Sequence, residues 1–256
     1  MIIIEVDIQM NSFIIEFSPT GGVDRCASSI AEGIGLPVTT IDLTDRNNIP
    51  SVSIGSEDIA IFAFPAYGGR VPSIAMERMK EITGNGTRAI IAAVYGNREF
   101  DDTIKEAADA LSAQGFVVVA ACGAVAEHSL IRSFGEGRPD GSDRKELVEF
   151  GKKARDKHDA LKDIPSSFPY KVYNGCPAKP ITDDKCISCG LCYRACPAGA
   201  ISENDYKADS SACISCMRCI KICPAGAKTI DKTIESRISE MLSKSAGGRK
   251  DNRFFL

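Results

Sequence analysis

The chain has no tryptophan, only two histidines and only six tyrosines among its 256 residues. Any aromatic or imidazole chemistry therefore rests on a few identifiable positions. Basic charge is not in excess. The net charge is −3, which leaves no electrostatic footprint for nucleic acid. No apolar run approaches the roughly 20 residues of a membrane span. No strand is followed by a Gly-x-Gly-x-x-Gly turn, so a nicotinamide substrate has no support. The opening Met1-Ile2-Ile3-Ile4-Glu5-Val6-Asp7 is apolar but lacks a basic region and a small-residue cleavage site, so it does not read as a signal peptide. It reads as an extra strand or as sequence upstream of a start at Met10. An apolar content of 44% and a charged content of 25% suit an ordinary globular protein of one large or two modest domains.

Cysteine, by contrast, is abundant and patterned. Eight of the eleven fall in two copies of one motif. The first is Cys186-x2-Cys189-x2-Cys192-x3-Cys196-Pro197. The second is Cys213-x2-Cys216-x2-Cys219-x3-Cys223-Pro224, each cysteine lying 27 positions after its counterpart. Cys-Ile-Ser-Cys opens both copies and Cys-Pro-Ala-Gly-Ala closes both. Structural zinc more often uses two separated Cys-x2-Cys pairs, and the third cysteine of each run and the fourth at x3 fit it poorly. Disulfides need an oxidising compartment, to which nothing here points.

This is the signature of bacterial two-cluster ferredoxins. The resemblance implies two [4Fe–4S] clusters with crossed ligation: Cys186, Cys189 and Cys192 with Cys223, and Cys213, Cys216 and Cys219 with Cys196. The prolines turn the chain after the fourth cysteine. Small residues there (Ala198, Gly199, Ala200; Ala225, Gly226, Ala227) let backbone amides approach the sulfides.

The first 165 residues alternate strand and helix. Strands are expected at Ser12–Phe17, Val38–Leu43, Asp58–Phe64, Arg88–Tyr95 and Phe116–Ala124. Helices are expected at Val23–Gly33, from Pro72 to about Ile82, at Asp101–Gln114 ended by Gly115, and at Asp143–Leu161. Five near-continuous apolar strands separated by helices mean a parallel sheet covered on both faces. The segment Ile164-Pro165-Ser166-Ser167-Phe168-Pro169 breaks the pattern. The expected division is an α/β domain over 1–164, a linker over 165–175, an α+β cluster domain over 176–232, and an amphipathic helix and tail over 233–256. That helix spans Thr233–Lys244, with Ile234, Ile238, Met241 and Leu242, and Gly247-Gly248 ends it.

The turn Ser18-Pro19-Thr20-Gly21-Gly22-Val23 lies between the first strand and the first helix. Unpaired amides at a helix start and the helix dipole favour an anion, and Ser18 and Thr20 add hydroxyls. Helix capping is the plainer use of such residues. Ser18-x-Thr20-Gly21-x-Val23 resembles the phosphate loop of flavodoxins, Ser/Thr-x-Thr-Gly-x-Thr, with the last hydroxyl replaced and Asp24 following. Residues of about 12–161 therefore resemble a flavodoxin, which implies a doubly wound five-stranded parallel sheet of order 2-1-3-4-5 holding FMN at its carboxyl edge.

The whole chain resembles the flavodoxin–ferredoxin fusion proteins of anaerobic bacteria and archaea. Loops like Pro65-Ala66-Tyr67-Gly68-Gly69-Arg70-Val71-Pro72, Tyr95-Gly96-Asn97-Arg98, Glu127-His128-Ser129 and Gly137-Arg138-Pro139-Asp140 carry that resemblance. The FMN residues it implies are Ser18, Thr20, Gly21, Gly22, Val23, Ala66, Tyr67, Gly68, Gly69, Tyr95, Gly96, Asn97 and Arg98. Tyr67 and Tyr95 are candidates to stack on the flavin ring, and Arg70 and Arg98 to offset its charge, solvated surface arginines being the alternative. His128 is a candidate proton donor or a loop anchor. His158 sits in a charged helix face. Cys26 and Cys122 read as buried small hydrophobes and Cys176 as a spare thiol.

The expected function is electron transfer coupling FMN to the two clusters, with redox proteins as partners in a reducing cytoplasm. A membrane span and nucleic acid are not expected, and a homodimer is left open. Two rivals stand: a flavin-dependent reductase of a small substrate, and a docking subunit without FMN.

Overall fold

The computed structural model describes residues 10–48, 51–167 and 169–256. The reading of Met1–Asp7 and the place of Phe168 lie outside them. The parallel strands are β1 (Ser12–Glu16), β2 (Val38–Asp42), β4 (Ile59–Pro65), β6 (Thr87–Tyr95) and β7 (Phe116–Val125). They stand in the order β7-β6-β4-β1-β2, which is 2-1-3-4-5 when these five are counted alone. This is the flavodoxin-like order. Residues β3 (Val52–Ile54) and β5 (Ile82–Gly84) form a separate parallel pair. Pairing of Ile82 with Val52 ends the second helix early, so α2 runs only Ser73–Met79 behind Pro72.

Helices α1 (Gly22–Ile34) and α4 (Gly141–Arg155) cover one face of the sheet, and α2 and α3 (Thr103–Ala113) the other. β4 and β6 are buried along their whole length, the mark of a central strand covered on both sides. Where α1 meets α4, a Cβ at Gly33 would stand 2.0 Å from the Val148 carbonyl oxygen and one at Gly151 would stand 2.2 Å from that of Ile30. Only glycine permits the two helices to approach this closely. Cys26 and Cys122 lie fully buried in that layer, and burial pushes the Cys26 thiol up to about 12. α4 stops at Arg155, short of Leu161, whose amide instead donates to the Val118 carbonyl at 2.8 Å.

A sixth, antiparallel strand joins the five expected ones. β10 (Arg253–Phe255), the end of the tail, pairs antiparallel with β7. Alternation along the strand sends its two phenyl rings to opposite faces. Phe254 stacks on Phe150 at 5.1 Å, and Phe255 packs edge-on to Phe100 at 6.3 Å. The edge of β7 is thereby covered.

The cysteine repeat folds around a two-stranded antiparallel pair, β8 (Pro180–Thr182) and β9 (Lys228–Ile230). Short helices α5 (Leu191–Arg194) and α6 (Arg218–Lys221) follow the second cysteine of each copy. The duplication extends to the backbone. Ser188 and Ser215, Gly190 and Met217, and Gly199 and Gly226 all take positive φ at matched positions. α7 (Lys232–Ser243) is capped by Asp231, which accepts from the amides of Thr233 and Ile234. Ile238 and Leu242 are buried, whereas Met241 is 61% exposed.

The two parts are joined by more than a linker. Buried Arg78 donates to the carbonyls of Leu43 and Pro197, each at 2.6 Å. The connecting segment is tied down as well: the Asp102 carboxylate accepts from the amides of Ser167 and Lys171, each at 2.7 Å.

Candidate functional site

The eight motif cysteines gather into two sets. Cys186, Cys189, Cys192 and Cys223 line one small pocket, and Cys196, Cys213, Cys216 and Cys219 line another. Each set takes its fourth thiol from the other copy of the motif. Among the described residues no three His, Cys, Asp or Glu side chains are placed to hold a single metal ion. A four-iron cube takes each thiolate on a different iron, so its ligands need not converge on one point. Burial pushes the Cys216 and Cys219 thiols up to about 12. Thiolates at such positions require positive metal charge to exist at neutral pH. The donor set thus fits an iron–sulfur centre at each pocket.

The two sets differ in depth. Cys189 is exposed, with Ile187 66% and Leu191 41% exposed beside it, whereas its counterpart Cys216 is buried; Cys192 and Cys219 are buried alike. The deeper set adjoins a cavity of about 810 Å³ at the carboxyl end of the parallel strands, and Ile214 lines both. That volume is within the range of small-molecule and cofactor sites.

One end of the cavity is the turn after β1. Thr20, Gly22 and Val23 line it, but Ser18 and Gly21 do not. The Ser18 hydroxyl accepts from the Asp24 amide at 2.9 Å, so it caps α1 rather than facing the cavity. Gly21 holds a left-handed φ of 76° at the turn. The amides of Gly22 and Val23, the first two helical residues, have no intrahelical acceptor. The carbonyls of this turn point to the cysteine repeat. Arg218 donates to those of Ser18 and Pro19, and Lys221 to that of Thr20.

The next loops supply Ala66, Tyr67, Gly68, Tyr95, Gly96, Arg98 and His128 to the cavity wall. Burial pushes the Tyr67 hydroxyl well above its usual range, so it stays a neutral phenol, and Cys216 lies near enough to add to that effect. Tyr95 is mostly committed elsewhere: its ring packs edge-on to Phe100 at 5.7 Å and its hydroxyl donates to the Asp251 carbonyl. Asn97 and Gly69 do not line the cavity. Asn97 is buried and bonds the tail. Gly69 packs on Asp101, where a Cβ would lie 2.2 Å from a carboxylate oxygen. Arg70 is held by both oxygens of Glu106, and Arg98 pairs with Asp101.

His128 accepts at Nδ1 from the amides of Leu130 and Ile131, each at 3.2 Å. Burial pushes it down to about 4, so it is a neutral loop anchor with Nε2 carrying the proton. Gly96 serves this packing, because a Cβ there would stand 2.5 Å from the His128 ring.

Three wall elements were not anticipated from sequence. Tyr173, in the connecting segment, lies over Gly68, where a Cβ would meet its ring at 2.2 Å. Ile214 and Ser215 come from the cysteine loop itself, and Ile234, Ile238 and Leu242 from α7. The glycines after Tyr67 and the apolar stripe of α7 were the available signals, but neither names its spatial partner.

Residues 185–227 match the family described as the 4Fe-4S dicluster domain. Among the curated proteins compared with the chain, none matches. Similar solved structures include a flavodoxin from the domain Archaea, 13% identical over 57% of this chain and 96% of that one, with a TM-score of 0.37. The flavodoxin of Streptococcus pneumonia TIGR4 is 18% identical over 57% and 97%, with a TM-score of 0.36. The azoreductase AzrA is 10% identical over 56% and 99%, with a TM-score of 0.40. These scores are low, and the fold is defined instead by the strand order. The chain joins a flavodoxin-like α/β fold to a 4Fe-4S dicluster domain. It is an iron–sulfur protein of the electron-transfer class.

Proposed function

We propose that the chain passes electrons between an FMN in the large cavity and two [4Fe–4S] clusters on the crossed cysteine sets, and onward to redox protein partners. The observation that carries this reading is the shared wall. Ile214 borders both the cavity and the deeper thiol set, so a carrier held in the cavity would lie next to the centre beside it. The set at Cys189, which is exposed, is the one open to redox protein partners.

Bound FMN supplies a carrier of one or two electrons, matched to centres that exchange one. The residues of the chain do the binding and shielding. The Thr20 hydroxyl and the amides of Gly22 and Val23 suit a phosphate at the helix start. Tyr67 and Tyr173 offer flat, uncharged walls. Ile234, Ile238 and Leu242 add apolar side chains to the cavity wall.

Protein purified without oxygen is expected to carry about eight irons and eight acid-labile sulfides, as two cubes demand. It is also expected to bind one FMN at micromolar concentration. Stoichiometric zinc in place of iron, or no flavin uptake, overturns the reading. The flavin-to-protein ratio separates it from a docking subunit. Turnover of a small acceptor without a protein partner would favour a reductase.

A further inference from the structure

The internal repeat provides its own control for one residue. Arg218 follows Met217 between the second and third cysteines of the second copy. Its counterpart 27 positions earlier is Leu191, a 41% exposed apolar residue. Arg218 lines the pocket of Cys196, Cys213, Cys216 and Cys219. Its Nη1 donates to the carbonyls of Ser18 at 3.4 Å and Pro19 at 3.1 Å. Its Nε is buried and has no partner among the described residues. A buried guanidinium donor left unpaired is costly unless the missing acceptor belongs to the site.

We propose that Arg218 is a positioning residue that makes the deeper centre the more easily reduced of the two, by presenting its Nε–H and its charge to that centre. The proposal rests on the reading of the two thiol sets as iron–sulfur centres. Reduction adds one negative charge to a centre, and a hydrogen bond or cation at its sulfurs favours the reduced form. Of the other cations near the two sets, Lys228 and Arg194 do not favour the deeper one. Buried Lys228 acts on Cys192 and on Cys219, one thiol of each set, and its ammonium is already bonded to Thr182 and Tyr206. Arg194 donates to the Cys189 carbonyl at 3.0 Å but is exposed, where solvent screens it. Lys179 donates to the Cys213 carbonyl, beside the deeper set, and adds in the same direction. Among the described residues, Arg218 alone combines the pocket wall with an unused buried donor.

With this order, one electron delivered to the centre at Cys189 leaves that centre oxidised and the deeper one reduced. The transfer needs no proton and no further reactant. The electron then rests next to the cavity, on the centre tied through Arg218 to the turn at Ser18 and Pro19.

The test is a dithionite titration of the whole protein under argon, followed by electron paramagnetic resonance. Signals are assigned by which of them Cys216→Ser or Cys189→Ser alters. Iron and sulfide analysis of each sample tests the two-centre reading separately. Arg218→Gln is expected to cut the reduced-to-oxidised ratio of the deeper centre about tenfold at a fixed potential, equal to about 59 mV for a one-electron couple. The exposed centre should not move. Arg218→Lys, which keeps the charge and loses the Nε donor, should shift it less. A fully loaded Arg218→Gln protein with both midpoints unchanged overturns the proposal. If that variant does not load, the unaltered protein decides: reduction of the exposed centre first, or of both together, overturns it as well.

Discussion

The side-chain amide of Asn97 donates to the carbonyl oxygens of Ala246 at 2.6 Å and Gly248 at 2.7 Å, while its own oxygen accepts from the Lys250 amide. One buried residue after β6 thus fastens the turn that leads the tail back to β7. Asn252 continues the attachment by accepting from the Val125 amide and donating to Asp143, which also pairs with buried Arg138. Asn97→Gly keeps the φ of 61° that asparagine holds here while removing all three bonds. Leaving those groups without partners should cost about 2–3 kcal/mol. Urea unfolding measures the loss, and hydrogen exchange should rise first at residues 253–255. Unchanged exchange there would show that the tail is held by its phenylalanines alone.

Two buried titratable groups make opposite demands on stability. Burial, helped by Asp24 and Asp42, raises Glu16 from 4.5 to about 8, and its Oε2 has no partner among the described residues. The folded state therefore binds a proton that the unfolded state releases, so the Glu16 contribution falls as pH rises from about 4.5 to 8. His128 is lowered from 6.5 to about 4, so here the unfolded state binds the proton first and stability falls as pH drops through that window. Glu16→Gln should raise stability above pH 8 relative to the unaltered protein and lose the advantage in acid. His128→Asn, which retains an acceptor for the loop amides, should flatten the acid side by about 3 kcal/mol at most. Paired denaturation curves across pH check both signs.

The parallel sheet was legible because each central strand is apolar on both faces, so β4 and β6 read as strands without knowledge of their neighbours. The cysteine sets were legible because ligand spacing is local. What was hidden depends on distant pairing. β10 is three residues long and is a strand only because β7 offers an open edge 130 residues earlier in sequence. Asn97 and Tyr95 sit in the loop where cofactor contacts were expected, yet the tail consumes Asn97 wholly and the Tyr95 hydroxyl. Ser18 illustrates the competition between two uses of one hydroxyl: helix capping took it. Tyr173 could not be placed because a residue in an irregular segment has no periodicity to show what it covers.

Cys196 lies in the first copy of the motif but lines the pocket of the second. Cys196→Ser should therefore disturb the centre of Cys213, Cys216 and Cys219 and spare that of Cys186, Cys189 and Cys192. Electron paramagnetic resonance of the reduced protein reads this directly, since one cubane signal should weaken or change shape while the other persists. Loss of the signal that Cys189→Ser also alters would show sequence-local ligation instead.

Gly68 offers a way to test the cavity as a flavin site without touching the turn or the clusters. Its φ is 61°, a conformation L residues rarely take, and a Cβ there would stand 2.2 Å from the Tyr173 ring. Gly68→Ala must therefore move that ring, the backbone of the loop, or both. Tyr173 and Tyr67 line the same cavity, so the flat wall between them opens. FMN affinity should fall about tenfold, the equivalent of about 1.4 kcal/mol, while iron content stays unchanged. Tyr173→Phe keeps the ring and should bind as the unaltered protein does, and Tyr173→Ala should reproduce the Gly68→Ala loss. Fluorescence quenching of FMN on titration with each protein gives the comparison. Equal affinity in all four proteins would place any flavin away from this wall, and affinity lost only in Gly68→Ala would assign the effect to the loop backbone rather than to Tyr173.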